Sequence, residues 1–250
     1  MTRPSAFSAF GLSPNVFLIK ESNDIYSENP YIYAIISRSS ASDGSAFTVP
    51  QGTVILIDTG CGGASNDPGV EITSLREFIE TVDIRGQPLN PGGSMNYLVI
   101  NTHCHYDHIL GIEDFFLQDI PEHSLCNFLH IRTPVYRPSL VPHGHTIGDT
   151  GITLLHTYGH TPDSLSVYDP TSTPPRLYTG DLFYENEPII FPSEGSIIDW
   201  FHSVDMLTEF ISTKTKDMQA SGSCHQHNQR SSSMPDMLPI LNRPFLFSEL

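Results

Sequence analysis

Between Thr102 and His108 the chain reads THCHYDH. His103, His105, Asp107 and His108 place three imidazoles and a carboxylate within six positions. These donors suit zinc and its neighbours in the first transition row, and a solvated surface has no need of them packed this closely. The run Leu98, Val99, Ile100 is apolar and β-branched and is expected to end a buried strand. Residues 109–118 (ILGIEDFFLQ) carry apolar side chains near helical spacing. The four donors are therefore expected on a tight strand-to-helix turn, where neighbouring side chains can converge on one point.

More candidate donors stand at the ends of other apolar runs. Asp58 ends TVILID. His160 sits in GHTPDS, after ITLLHTY. Asp181 ends RLYTGD, and His225 follows QASGSC. A polar residue at the end of an apolar strand points to one rim of a sheet, so scattered segments could build one polynuclear site.

The elements that must position these residues follow from periodicity. Strands are expected at 31–37, 53–58, 97–101, 126–131, 152–158, 164–168 and 176–179. A helix is expected at 73–82, with Leu75, Phe78, Ile79 and Val82 on one face. Another is expected at 196–211, packing Ile197, Trp200, Phe201, Val204, Leu207, Phe210 and Ile211 inward. Residues 214–222 should then lead to a last histidine-bearing turn. Residues 38–52 read as a long polar hairpin loop and 59–63 (TGCGG) as a glycine-rich turn. Interspersed strands and helices argue a layered α/β fold.

The chain has 250 residues, enough for a single domain with a sizeable core. Residues 1–15 could be a mobile tail or an arm beside the site, and 231–250 is a tail broken by prolines. A formal charge of −16 opposes nucleic acid and anionic membrane surfaces as partners. No apolar run approaches the roughly 20 residues a membrane-spanning helix needs. Cys61, Cys104, Cys126 and Cys224 form no CxxC pair, and no basic-then-apolar leader opens the chain. They are read as reduced thiols, and the protein is expected in the cytoplasm. Oligomeric state is not legible.

Together these motifs resemble the metallo-β-lactamase superfamily of metal-dependent hydrolases, and among them the small lactonase- and esterase-like members. HxHxDH stands as His103, His105, Asp107 and His108. The strand-ending Asp before Thr-Gly is Asp58, and the GHTPDS and TGD turns carry His160 and Asp181. The matches keep the family's order from about residue 53 to 225. The resemblance implies a four-layer αβ/βα sandwich with the site along one edge of the sheets. It implies two metal ions, usually zinc, with iron or manganese as substitutes. His103, His105 and His160 would hold the first, Asp107, His108 and His225 the second, and Asp181 would bridge them. Asp58 would orient a ligand imidazole.

One motif departs from the family: the last histidine usually follows Gly, whereas Cys224 precedes His225 here. His227 is the alternative ligand, because a two-residue slip in a strand keeps the same face.

The implied reaction is hydrolysis of an ester, lactone, thioester or lactam of a small acyl substrate. A metal-bridging hydroxide would attack, and Asp107 would orient it. Tyr184, three residues beyond Asp181, could donate a hydrogen bond to the developing charge. It could equally be a rim tyrosine. An iron-dependent oxidoreductase resembling persulfide dioxygenases is an alternative, as is a metal-binding protein without catalysis. His143 and His145 could line a pocket; Cys104, inside the motif, is expected to face away from the metals.

Overall fold

In the computed structural model, residues 3–37, 52–115, 139–184 and 188–223 are described, with side chains described as far as residue 217. Two compact units emerge. The first comprises Met1–His156 and Asp163–Gly180, the second Thr157–Pro162 and Asp181–Leu250.

The first unit is built on two sheets. A five-stranded sheet runs in the order β1 (Phe7–Gly11), β2 (Val16–Glu21), β3 (Tyr31–Ser37), β4 (Thr53–Ile57) and β5 (Asn96–Ile100). Its pairings are antiparallel except β4 with β5, which are parallel. A four-stranded antiparallel sheet follows: β6 (His145–Thr146), β7 (Thr153–His156), β8 (Leu165–Asp169) and β9 (Arg176–Tyr178).

Every residue of β4 is buried, because both faces of its sheet are covered. Val54 and Leu56 point to one core with Leu75, Phe78 and Ile79 of helix α1 (Leu75–Thr81). Ile55 and Ile57 point to the other, against Leu154, Leu165, Val167 and Tyr178 of the second sheet. Alternation of side chains along the strand thus feeds two apolar layers. Ser74 caps α1 by accepting the Glu77 N–H at 3.1 Å.

Within the N-terminal stretch read as a tail or an arm, Phe7–Gly11 is an edge strand. Its period of two decides this, with Phe7 in the core and Ser8 exposed. Strand β2 was not expected at all. Its run VFLIK lacks clean alternation, because nearly every residue is buried.

The helix expected at 109–118 is instead α2 (Tyr106–Ile109), continued by a 3₁₀ segment at Leu110–Phe115. Gly111 packs directly on the Thr59 carbonyl, where a Cβ would come within 2.2 Å. The strand expected at 126–131 lies outside the described residues, as does most of the 38–52 loop.

The second unit is organised around α3 (Ile197–Ser223). It runs past the expected end because its apolar stripe stops at Ile211 while its backbone meets no proline. Leu207 and Ile211 are buried, but Ile197 and Phe201 are exposed, contrary to the inward packing expected of them. No helix among the described residues is long and apolar enough to cross a membrane.

Candidate functional site

Strand β5 ends at Ile100, and the chain turns through Thr102 and His103 into α2. This turn belongs to the first unit and carries four of the expected donors. His103 and His108 are buried, whereas His105 and Asp107 are half-buried. His103 Nε2 and His105 Nδ1 lie 3.0 Å apart. His108 Nε2 and Asp107 Oδ2 lie 3.3 Å apart.

Asp58 fixes this turn. It follows β4 with φ 63°, a left-handed conformation unusual for a residue with a Cβ. Its own N–H donates to the Ile100 carbonyl at 2.8 Å. The Thr102 N–H donates to Oδ1 at 2.7 Å, and the Thr102 hydroxyl to Oδ2 at 2.8 Å. His108 Nδ1 lies 2.8 Å from Oδ2 and donates to it.

These bonds set the tautomers. The Thr102 hydroxyl proton is committed to Asp58, so His103 Nδ1, 3.1 Å from that oxygen, must be the donor there. In the neutral imidazole form, His103 and His108 therefore both keep an Nε2 lone pair. Each lone pair faces another donor atom of the turn, an arrangement that repels unless a cation or proton lies between.

The 59–63 turn braces the same region. Thr59 N–H donates to the His108 carbonyl at 2.7 Å, and Leu110 N–H donates to the Gly60 carbonyl at 3.0 Å. Behind the turn, fully buried Glu21 accepts the N–H groups of Cys61 and Gly63, both at 2.7 Å. Burial, opposed by these two bonds, pushes the Glu21 carboxyl up to about 7. Burial and the nearby Glu21 charge also push the Cys61 thiol up, which makes it a poor nucleophile.

The second unit holds two further donors. His160 is buried and Asp181 half-buried, with His160 Nε2 3.5 Å from Asp181 Oδ2. His160 Nδ1 donates to the Ile190 carbonyl at 2.8 Å, so Nε2 again presents a lone pair. Trp200 of α3 organises both segments. Its indole N–H donates to the Leu182 carbonyl at 2.9 Å, beside Asp181. Its backbone packs on Gly159, where a Cβ would come within 2.6 Å. Phe183, Phe191 and Phe201 meet its ring edge-on. Tyr184 is half-buried just beyond the Asp181 turn.

His225 and its alternative His227, like Cys126 and Cys224, lie outside the described residues. Cys104 is half-buried and not in a disulfide. His143 and His156 form a pair of their own: the His156 N–H donates to His143 Nδ1 at 3.1 Å, and His156 Nε2 donates to the Val141 carbonyl at 3.0 Å. Glu21 was not expected at this site, and Trp200 was expected only as one of seven apolar residues packing inward from the 196–211 helix. Glu21 had one signal, an acid closing an apolar run.

The chain is 30% identical over 239 residues to a protein of Aspergillus versicolor named "Putative transcription factor avaE", covering 84% of this chain and 66% of that one. It is 23% identical over 177 residues to acyl-coenzyme A thioesterase MBLAC2 of Gallus gallus, covering 58% and 62%. The chain thus spans just under two thirds of either relative. No family model matches it. Among solved structures, it is similar to the metallo-β-lactamase FIM-1 of Pseudomonas aeruginosa in its mono-zinc form, with a TM-score of 0.55 and 15% identity over 84% of this chain and 85% of that one. A quorum-quenching N-acyl homoserine lactone lactonase gives a TM-score of 0.50 and 16% identity, covering 85% and 86%. This chain has the metallo-β-lactamase fold.

Proposed function

We propose that the chain is a metal-dependent hydrolase of small acyl substrates with a dinuclear metal centre. His103, His105, His160 and Asp181 would surround one ion, and Asp107, His108 and Asp181 the other. His225 or His227 would complete the second set.

One observation carries this reading. Three buried imidazoles have Nδ1 committed to a neighbour and an Nε2 lone pair facing another donor, at 3.0, 3.3 and 3.5 Å. Donors about 2 Å from a shared tetrahedral ion sit about 3.3 Å from one another.

The nitrogen and carboxylate donors fit two zinc ions, with iron or manganese as substitutes. When bound, such cations lower the pKa of a coordinated water towards neutrality and polarise an acyl carbonyl. The remaining work falls to the protein. Asp58 and Thr102 hold the imidazoles in one tautomer. Asp107 accepts a hydrogen bond and orients the attacking oxygen. Tyr184 donates a hydrogen bond to the carbonyl or the leaving oxygen.

The relatives' names guide the substrate class. One is an acyl-coenzyme A thioesterase, which favours thioesters, whereas the structural neighbours, a β-lactamase and a lactonase, share the fold and do not choose between lactams and lactones. The relative named for transcription does not favour DNA binding here, because a formal charge of −16 repels phosphate.

Zinc-loaded protein should hydrolyse members of a panel of thioesters, lactones, esters and lactams. Elemental analysis of protein purified without added metal should find about two divalent ions per chain. Iron near one per chain without hydrolysis would replace this reading with the oxidoreductase alternative. Bound metal without turnover on the panel would favour a non-catalytic metal protein.

A further inference from the structure

We infer that Glu21 is a positioning residue: its buried carboxylate holds the 60–63 turn, and through it the backbone of His108 and Leu110. The geometry has two halves, both within the first unit.

The inner half is the grip. Glu21 is fully buried at the end of β2. One oxygen accepts the Cys61 N–H and the other the Gly63 N–H, each at 2.7 Å. These amides point inward because Gly60, Gly62 and Gly63 take φ values of 76°, 87° and 78°. Only glycine fits at two of them. A Cβ on Gly60 would lie 2.3 Å from Glu21 Oε2, and one on Gly63 would lie 1.6 Å from the Thr73 carbonyl. The turn is a concave set of N–H groups closed around an anion supplied by the chain itself. Burying a carboxylate is costly. An apolar residue at position 21 would leave two buried N–H groups unbonded.

The outer half is the transmission. The opposite side of the turn bonds directly to the helix that carries two donors. Gly60 O accepts from Leu110 N–H at 3.0 Å, and Thr59 donates to His108 O through its N–H at 2.7 Å and its hydroxyl at 3.1 Å. A Cβ on Gly62 would meet the Leu110 backbone carbonyl at 3.3 Å. Asp58 orients the His108 ring from its side chain, whereas Glu21 sets where the His108 backbone stands. A shift of the turn would move Asp107 and His108 together.

The metal-binding consequence rests on the hydrolase reading, but the grip can be tested without it. The experiment is hydrogen exchange on Glu21→Gln, with Asp169→Asn as a control. Asp169 is equally buried and accepts from the Thr171 and Ser172 hydroxyls, far along the chain from this turn. In Glu21→Gln, the amides of Thr59 and residues 60–63 and 108–110 should exchange at least about tenfold faster, while β7 and β8 keep the parent rates. The control should leave 59–63 and 108–110 unchanged. Zinc titration against a competing chelator should show one of two affinities falling by about tenfold, a loss typical of outer supports of metal ligands.

Unchanged exchange in 59–63 and 108–110 overturns the inference. So does uniformly faster exchange, which would make Glu21 a general stabilising residue, and so does local loosening with both zinc affinities intact. If the parent takes up no zinc, the hydrolase reading fails and exchange alone decides whether Glu21 holds the turn.

Discussion

The two units hold their donors by different physics. In the first, polar groups do the holding: Asp58 accepts from Thr102 and His108, and Glu21 accepts from the 61 and 63 amides. In the second, one aromatic residue does most of it. Trp200 bonds the Leu182 carbonyl and packs on Gly159, one residue from each donor. A carboxylate with short hydrogen bonds fixes direction and tautomer. Aromatic packing fixes position, and the bond from His160 Nδ1 to Ile190 O sets direction. Substitutions in the first unit should therefore change metal affinity at nearly constant stability, whereas those in the second should change stability and affinity together.

The largest expected effect ignores this distinction. Asp181 faces His160 and is proposed to serve both ions, so Asp181→Ala should lower metal content and bring hydrolysis to background. Retained metal with full turnover would remove Asp181 from the centre. The next pair tests the comparison itself. Asp58→Asn keeps size but puts either an amide N–H or a weaker acceptor against His108 Nδ1, and should weaken metal binding about 10- to 100-fold. Trp200→Phe deletes the bond to Leu182 O and should cost about 1 kcal/mol of stability, with a smaller loss of affinity. Calorimetric melting and chelator titration measure both. Equal effects of the two variants on affinity would mean that the units do not differ as argued.

The same contrast explains what could be read from the sequence. HxHxDH, Asp58, His160 and Asp181 stand out in the sequence because candidate donors at strand ends are chemically distinctive and local in the chain. Strands β3 to β5 and β7 to β9 were visible as apolar runs between turn residues. The braces were not visible. Glu21 lies 40 residues from its partner Cys61 and looks like an ordinary strand-closing acid. Trp200 sits on a helical face of which Leu207 and Ile211 are buried but Ile197 and Phe201 are exposed. Periodicity locates a helix without saying which of its apolar residues has something to pack against. The 3₁₀ segment after α2 depends on Gly111 meeting Thr59 O, again a contact distant in sequence.

A smaller effect concerns pH and the first unit. Burial holds the Glu21 carboxyl up at about 7 against an ordinary value of 4.5, with Asp24 and Asp114 adding like charge around it. Between those values the folded chain keeps a proton that the unfolded chain has released. Unfolding free energy from this group therefore falls as pH rises from about 4.5 to about 7, and levels off above. Glu21→Gln cannot titrate and should lack that decline. Urea midpoints measured from pH 5 to 8 in the presence of a chelator test it. Parallel curves for parent and variant would show that Glu21 does not titrate in this window.

The smallest expected change is at Tyr184. It follows Asp181 by three residues and is half-buried in the second unit, where Phe183 beside it packs on Trp200. Its phenol is proposed to reach the substrate rather than the metals, so Tyr184→Phe removes one donor and keeps the ring. Turnover should fall, by at most the roughly 100-fold of a lost oxyanion donor, with metal content and melting temperature unchanged. That separates it from Trp200→Phe, which should lower the melting point first. If Tyr184→Phe instead loses stability while sparing kcat, the tyrosine belongs to the aromatic packing that holds this half of the donors, and the chemistry must draw its hydrogen bond from elsewhere.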